Sequence, residues 1–265
     1  MLVGLAVVVG TAAYASSACV LSFRVIARLD IKGANLIKGV QMEGLRVIGK
    51  PAAFARKYAE EGADEILYLD TVASLYGRNN LTEIIEEASD GVFVPITCAG
   101  GVRTVGDVQR LLDAGADKVA INSAAIREPA LIRRCADRYG SQAIVVSIEA
   151  KRVNGGWEAY TDCGRERTGK EVKQWAEEAV ALGAGEILLT SVDRDGTRRG
   201  PDLELAESLD LPVPVVLSGG IAAPEDAKRA SKVADALAIG CALHYWNTTI
   251  FDVKSALSSV GVPIR

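Results

Sequence analysis

Two acidic side chains, Asp30 and Glu149, each close a short run rich in Val and Ile and are the first candidates for chemistry. Such runs are typical of strands buried in a parallel sheet. Two carboxyl groups that face each other across one mouth of a fold can divide proton donation and acceptance between them. The alternative is structural, because Lys32 and Lys151 follow two residues later on the same strand face and are able to pair with the acids. We favour an acid/base pair.

Two Gly-Gly pairs, Gly100-Gly101 and Gly219-Gly220, come directly after apolar runs and before helical patterns. Glycine lets backbone N–H groups approach an anion closely, and a helix start favours negative charge. Tight strand-to-helix turns are the alternative. Because the arrangement occurs twice, we predict two phosphate sites and a ligand with a phosphate at each end. The expected contacts are Gly101, Asn122, Ser123, Gly220 and Gly240.

Two further segments are candidates for substrate binding. Asp195-Gly196-Thr197 forms a polar loop after an apolar run, where it either binds substrate or makes an ordinary Asp-Gly turn. Lys38 lies in a segment of residues 32–50, which is too long for a plain connector and has the length of a lid. Lys38 is either a phosphate ligand or an exposed surface lysine.

Four charges stand at the starts of apolar runs and therefore at the opposite mouth of the predicted fold: Arg24, Glu65, Lys118 and Glu186. Two are positive and two are negative, so they are able to close a ring of ion pairs. By themselves they indicate a stabilising cap, which is the usual role of that face.

The elements that must position these residues are eight short apolar runs alternating with amphipathic stretches. The runs are residues 25–30, 65–70, 93–98, 118–122, 143–149, 186–191, 213–218 and 236–240, and the helical patterns include 51–61, 81–89, 105–114, 129–138, 169–182 and 224–231. Four motifs of the first half recur in the same order at an offset of about 120 residues. We therefore predict an α/β fold, a (β/α)8 TIM barrel built from two repeated half-barrels, with an open doubly wound sheet as the alternative.

Composition limits the function classes. The chain has 265 residues, a net charge of -4, five cysteines without a CxxC pair and one histidine. These features argue against a nucleic-acid partner, a zinc site or a disulfide framework, and we expect no metal and no cofactor. Residues 1–22 carry no charge and are either an export or membrane segment or an extension. Because they lack a positive start, we favour an extension, a barrel over residues 23–265, no membrane association and a cytoplasmic location.

In several motifs the chain resembles a known family, the cyclase subunit of imidazole glycerol phosphate synthase of histidine biosynthesis. The resemblance runs from about Arg24 to the C-terminus. It is carried by RLDIK at 28–32, DKVAINSAA at 117–125, GSQAIVV at 140–146 and GAGEILLTSVDRDGT at 183–197. The last two stretches separate the chain from the related sugar-phosphate isomerase of the same pathway.

The resemblance implies a carbon-nitrogen lyase. Ammonia from a separate glutaminase subunit, docked at the N-terminal face of the barrel, would pass through the barrel. It would convert a bis-phosphorylated ribulosyl aminoimidazole carboxamide substrate into imidazole glycerol phosphate and an aminoimidazole carboxamide ribotide. The implied roles are acid/base catalysis for Asp30 and Glu149, an ammonia gate for the four-charge set, a flexible-loop contact for Lys38, and phosphate binding for Gly101, Asn122, Ser123, Asp195, Gly196, Gly220 and Gly240.

Three departures from the family pattern stand out. Glu149 replaces an aspartate, Lys32-Gly33-Ala34-Asn35 replaces the usual Asp-Gly-Arg, and Arg28 replaces a small or thiol residue. One extra methylene shifts a carboxylate by about an ångström, a misplacement that can cost about a hundredfold in rate. The alternative is therefore a paralogue that channels ammonia to aminate or amidinate a cell-surface sugar precursor. A non-catalytic phosphate-binding regulator of a glutaminase is a third possibility, which the intact four-charge set disfavours.

Overall fold

A computed structural model describes residues 22–73, 81–89, 91–245 and 248–265, and its strands close into a barrel. Eight parallel strands pair in a ring, so the barrel expectation is confirmed. They are β1 (Arg24–Lys32), β4 (Glu65–Asp70), β5 (Ile96–Ala99), β6 (Lys118–Ile121), β7 (Ile144–Val153), β10 (Glu186–Ser191), β11 (Val215–Ser218) and β12 (Ala236–Ile239). Closure removes the exposed sheet edges that an open sheet would leave.

Helices cover the outside of the barrel. They are α1 (Pro51–Glu60), α2 (Leu81–Ser89), α3 (Val105–Asp113), α4 (Ser123–Arg127), α5 (Ala130–Tyr139), α6 (Val172–Ala181), α7 (Leu203–Glu207), α8 (Pro224–Ala230), α9 (Cys241–Tyr245) and α10 (Ile250–Ser258), with a 3-10 turn at Ser141–Ala143. Helix α3 begins with a capping box in which Thr104 and Asp107 satisfy each other's backbone N–H. Helix α8 begins in the repeat-related way, with Asp226 accepting from the amides of Ala222 and Ala223.

Two antiparallel hairpins interrupt the barrel pattern at repeat-related places. The pair β2 (Asn35–Val40) and β3 (Glu43–Gly49) follows β1, and the pair β8 (Gly156–Thr161) and β9 (Glu166–Glu171) follows β7. The long segment predicted as a lid is thus an ordered hairpin paired to β1. At its tip, Gln41 and Met42 adopt left-handed backbone conformations, with φ of 51° and 61°.

Side chains alternate between two apolar layers along each barrel strand. On β1, Val25 and Leu29 join the layer between sheet and helices, whereas Ile26 faces the barrel interior. Arg28 and Asp30 share the interior side with Ile26, because residues two apart on a strand point the same way. The same alternation puts Glu149 of β7 inside the barrel.

Several element limits differ from the predictions. Strand β5 begins at Ile96 rather than at residue 93, and Phe93 is 93% exposed. Helix α6 begins at Val172 because residues 169–171 belong to strand β9. The predicted extension, apart from Ser22, lies outside the described residues. Within the ranges that the structure covers, no helix is both long and apolar enough to cross a membrane.

Candidate active site

Asp30 lies inside the barrel near the C-terminal end of β1, where it is 4% exposed. Its carboxylate accepts a hydrogen bond from Arg28 Nε at 2.8 Å and a second from Lys38 Nζ. Burial by itself raises the pKa of a carboxyl group, but the two cations outweigh it and hold the pKa of Asp30 at about 2. Asp30 is therefore ionised throughout the physiological range.

The sequence allowed two roles for Lys38, a phosphate ligand or an exposed surface lysine, and the exposed alternative is wrong. The side chain is 3% exposed, and its ammonium group bridges Asp30 and Asp195 Oδ1, the latter at 3.1 Å. Strand β2 folds back antiparallel on β1, with Ile37 opposite Asp30, and this pairing carries Lys38 over the barrel mouth. Burial lowers the pKa of Lys38, but the charges of the two aspartates raise it well above its ordinary value.

Glu149 occupies the repeat-related place on β7 and is also 4% exposed. Its Oε2 accepts a hydrogen bond of 2.8 Å from the Gly164 amide, in the turn between β8 and β9. Burial raises the pKa of Glu149 to about 7, although the Gly164 amide and the Arg28 charge oppose the rise. No ion pair to this carboxyl group occurs in the described part of the chain.

The structural alternative for the two acids, pairing with Lys32 and Lys151, is wrong. Asp30 pairs with cations from its own strand and from β2 instead. Lys32 is exposed, and the Lys151 ammonium lies 4.9 Å from the centre of the Tyr160 ring. Long side chains at the strand ends reach outward to solvent and aromatic faces, which leaves the carboxyl groups to the barrel interior.

The first predicted phosphate cradle is a cavity at the ends of β5 and β6. Its lining includes Gly100, Gly101, Asn122, Ser123, Ser147 and Glu149. Gly100 has φ of 103°, and a Cβ atom on it would lie 2.4 Å from the Asp70 carbonyl oxygen. Such a contact forbids any side chain, so the backbone and not a side chain forms this part of the wall.

The second cradle is a cavity at the ends of β11 and β12. Its lining includes Arg28, Asp195, Gly196, Gly219, Gly220 and Gly240. A Cβ atom on Gly219 would lie 2.5 Å from the Ser191 carbonyl oxygen, which repeats the Gly100 arrangement in the other half-barrel. Thr197 does not line this cavity, and its hydroxyl donates to the Arg194 carbonyl oxygen at 2.7 Å. The structure thus groups the predicted phosphate contacts into two cavities related by the internal repeat.

The four charges at the opposite mouth form the predicted ring of ion pairs. Arg24 contacts Glu65 at 3.0 Å and Glu186 at 2.6 Å, and Lys118 contacts the same two carboxylates at 2.8 Å and 3.1 Å. Each charge has two partners of opposite sign, so the ring closes the N-terminal end of the barrel interior. Burial lowers the pKa of Arg24, but the two glutamates raise it above its ordinary value.

Sequence reasoning noticed Arg28 only as a departure and missed it as a site residue. Its side chain is 1% exposed and donates from Nη1 to Ser218 at 3.0 Å and to Thr190 at 3.4 Å. The signal was available, since a charge in mid-strand two residues before Asp30 must share its interior side. Ser218 and Thr190 gave no such signal, because a lone hydroxyl near a strand end has many uses.

The fold and the site together define the class of protein. It is a (β/α)8 barrel that consists of two repeated half-barrels, each with a glycine-lined cavity. The chain belongs to the family described as histidine biosynthesis protein, whose sequence profile matches residues 24–249. This membership confirms the resemblance drawn from the motifs.

Within the described residues, no group of three or more His, Cys, Asp or Glu side chains is placed to hold a metal ion.

Three curated relatives carry the name imidazole glycerol phosphate synthase subunit HisF. The protein of Legionella pneumophila is 58% identical over 206 residues, which cover 77% of this chain and 97% of that protein. The proteins of Myxococcus xanthus (strain DK1622) and Dehalococcoides mccartyi are 46% and 45% identical over 249 residues, which cover 92% of this chain and 98% of each relative.

Proposed function

We propose that this protein is the cyclase subunit of imidazole glycerol phosphate synthase. It uses ammonia to convert a bis-phosphorylated ribulosyl aminoimidazole carboxamide substrate into imidazole glycerol phosphate and an aminoimidazole carboxamide ribotide. The observation that carries the proposal is the pair of repeat-related glycine cavities at the mouth that holds Asp30 and Glu149. Relatives of that name align over most of the chain.

The two acids have different tasks in this reaction. A carboxylate with a pKa of about 2 is a weak base, so Asp30 acts through its negative charge and stabilises the cationic amine that forms when ammonia adds to the ketone. Glu149, whose pKa is raised to about 7, is partly protonated near neutral pH, and its protonated form gives the proton to the departing oxygen as water leaves. The carboxylate then takes a proton back from the nitrogen.

We further propose that a glutaminase subunit docks at the N-terminal face and feeds ammonia through the charged ring. Mutual pairing of the four charges makes the ring a barrier to bulk water that a small neutral molecule passes when one ion pair opens. Phe93 supports the choice of face: it precedes β5, hence lies on this side, and is 93% exposed. Large exposed aromatic side chains are common anchors at protein interfaces.

A second candidate is the paralogous synthase that aminates or amidinates a cell-surface sugar precursor. It is favoured by the Arg28 side chain, which is fully buried beside Asp30 where the resembled family has a small or thiol residue. A guanidinium at this place changes both the room and the charge offered to the substrate. The two candidates share ammonia use and phosphate binding and differ in the acceptor.

Turnover of the carboxamide substrate with an ammonium salt tests the function directly. The unaltered protein is expected to form imidazole glycerol phosphate, and both Asp30→Asn and Glu149→Gln are expected to reduce the rate strongly. Absence of product from the unaltered protein would exclude the histidine-pathway reaction. Product formation with a nucleotide-linked sugar in place of the carboxamide would establish the second candidate.

Docking has its own test, in which glutamine replaces the ammonium salt and a glutaminase subunit is added. Phe93→Asp is expected to reduce glutamine-dependent turnover and leave ammonium-dependent turnover intact. An equal loss in both assays would refute docking at this face.

We also propose a barrel domain over residues 23–265 with residues 1–22 as an extension, and a cytoplasmic location.

A further inference from the structure

The two glycine cavities lie at equivalent strand ends of the two half-barrels but differ in one lining residue from the first strand of each half. Arg28 on β1 lines the cavity at β11 and β12, whereas its counterpart in the repeat, Ser147 on β7, lines the cavity at β5 and β6. Both residues stand two positions before the acidic residue of their strand. At this position the half-barrel symmetry is therefore broken by a buried positive charge.

The guanidinium of Arg28 has one nitrogen to spare. Nε donates to Asp30, and Nη1 donates to Ser218 and Thr190. Nη2 is buried and has no hydrogen-bond partner within the described residues. A buried donor without a partner is unfavourable, and a charged donor more so. Arg28 is one of the residues that line the cavity at β11 and β12, so this nitrogen is an unpartnered charged donor on a residue of the cavity wall.

A second buried cation, Lys38, lies close to this cavity and is paired with Asp30 and Asp195. A Cβ atom on Gly240 would lie 3.6 Å from Lys38 Cε and 3.8 Å from its Nζ, so the Lys38 ammonium lies next to Gly240, one of the lining residues. The cavity at β5 and β6 has Arg103 and Arg127 in its lining, but both are exposed at its rim. Exposed charges are screened by water and salt, whereas buried ones are screened much less.

We propose that Arg28 is a phosphate ligand. Its Nη2 donates to the phosphoryl group held at Gly219, Gly220 and Gly240, which makes this cavity the tighter of the two anion sites. A ligand with a phosphate at each end is thereby bound in one orientation, with its more strongly held end over Arg28. The inference rests on the proposed function only in taking the substrate to be phosphorylated at both ends.

Inorganic phosphate is the probe that tests the assignment. Its binding is measured by line broadening in 31P NMR and by the phosphate-induced rise in Tm. The full-length protein is expected to show two classes of site. Arg28→Met is expected to weaken the tighter class about 10- to 100-fold, the value of a charge-assisted hydrogen bond. Arg103→Met is the matched control, and it is expected to leave the tighter class within about twofold.

Substitution of Arg28 also removes the Arg28–Asp30 ion pair, which lowers the Tm without any ligand. The phosphate-induced rise in Tm of each variant is therefore measured from the Tm of that same variant without phosphate. Arg28→Lys keeps the positive charge but lacks the planar fork, and it is expected to bind phosphate at the tighter class several-fold more weakly than the unaltered protein. If either Arg28 variant folds and binds phosphate as tightly as the unaltered protein, the assignment is wrong. If neither folds, a phosphate-soaked crystal of the unaltered protein decides, because phosphate seated away from Nη2 refutes the proposal.

The same experiment separates this inference from the proposed function. Phosphate binding requires no turnover. If the protein is inactive on the carboxamide substrate but needs Arg28 to bind phosphate, the proposed reaction is refuted and the assignment of Arg28 as a phosphate ligand stands. Where turnover is present, Arg28→Met is expected to raise KM more than it lowers kcat. An unchanged KM with a reduced kcat would instead make Arg28 a partner of Asp30 alone and overturn the phosphate assignment.

Discussion

Asp30 and Glu149 occupy equivalent places in the two half-barrels, yet their carboxyl groups have pKa values of about 2 and about 7. Both are equally buried, so burial does not separate them. The difference comes from partners: Asp30 contacts two cations, whereas Glu149 accepts from a neutral backbone amide. The environments of the two repeat-related acids therefore separate their pKa values, which suits one to a fixed charge and the other to the proton transfer that we propose.

The first prediction concerns pH. Turnover measured at a constant concentration of free ammonia is expected to fall as pH rises through about 7, because Glu149 loses the proton that it must donate. Glu149→Gln is expected to lower the rate about a hundredfold or more and to remove this limb. Glu128→Gln, at an exposed glutamate paired with Arg134, is the control and should keep the profile of the unaltered protein.

The same group affects stability with a definite sign. The ordinary pKa of a glutamate is 4.5, and that of folded Glu149 is about 7. Between these values the folded protein holds a proton that the unfolded chain has lost, so the free energy of unfolding falls as pH rises. Urea unfolding from pH 4.5 to 8 should show a shallower fall in Glu149→Gln than in the unaltered protein. Equal slopes would contradict the assigned pKa.

A third prediction concerns the buried ammonium of Lys38. Lys38→Met leaves Asp30 and Asp195 close together without the cation between them, and is expected to lower the free energy of unfolding by about 3–5 kcal/mol. Lys32→Met, at an exposed lysine on β1, is the matched control and should change stability by less than about 0.5 kcal/mol. Urea titrations at pH 7 measure both, and similar losses would refute the tight pairing.

The charged ring gives a fourth prediction. Lys118→Met removes a partner from both Glu65 and Glu186, whose side chains are largely buried, and is expected to cost about 1.5–3 kcal/mol of stability. Added salt should not reproduce this loss, because partly buried pairs are weakly screened. Lys228→Met, which breaks a helical i,i+3 pair with Glu225, should cost only a few tenths of a kcal/mol, about 0.2–0.5.

The last prediction separates backbone strain from steric conflict in the β11–β12 cavity. Gly220 has φ of 83°, and a Cβ atom on it would lie 2.2 Å from the Gly200 carbonyl oxygen. Gly155 has φ of 84° but open space around it. Gly155→Ala should therefore cost about 1–2 kcal/mol for conformation alone. Gly220→Ala should cost clearly more and also weaken phosphate binding, as measured by unfolding and by 31P NMR.

Features that depend on the alternation of side chains along strands and on the internal repeat were predictable from the sequence. The barrel, both glycine cavities and the four-charge ring follow from strand ends and strand starts, whose directions are the same in every βα unit. Lys38 was not placed, because its position depends on how a hairpin folds back on β1. Arg28 was noticed without a role, because its partners Thr190 and Ser218 come from distant strands.

By itself, then, the sequence determined a two-half barrel, which acids and glycines reach the C-terminal mouth, and which charges meet at the other end. The reason is that alternation and duplication fix direction and register locally. Only the tertiary structure decided that Asp30 is held ionised while the pKa of Glu149 is raised to about 7, and that a buried guanidinium lies at one of the two cavities. Those properties come from long-range contacts and burial, which no local pattern encodes.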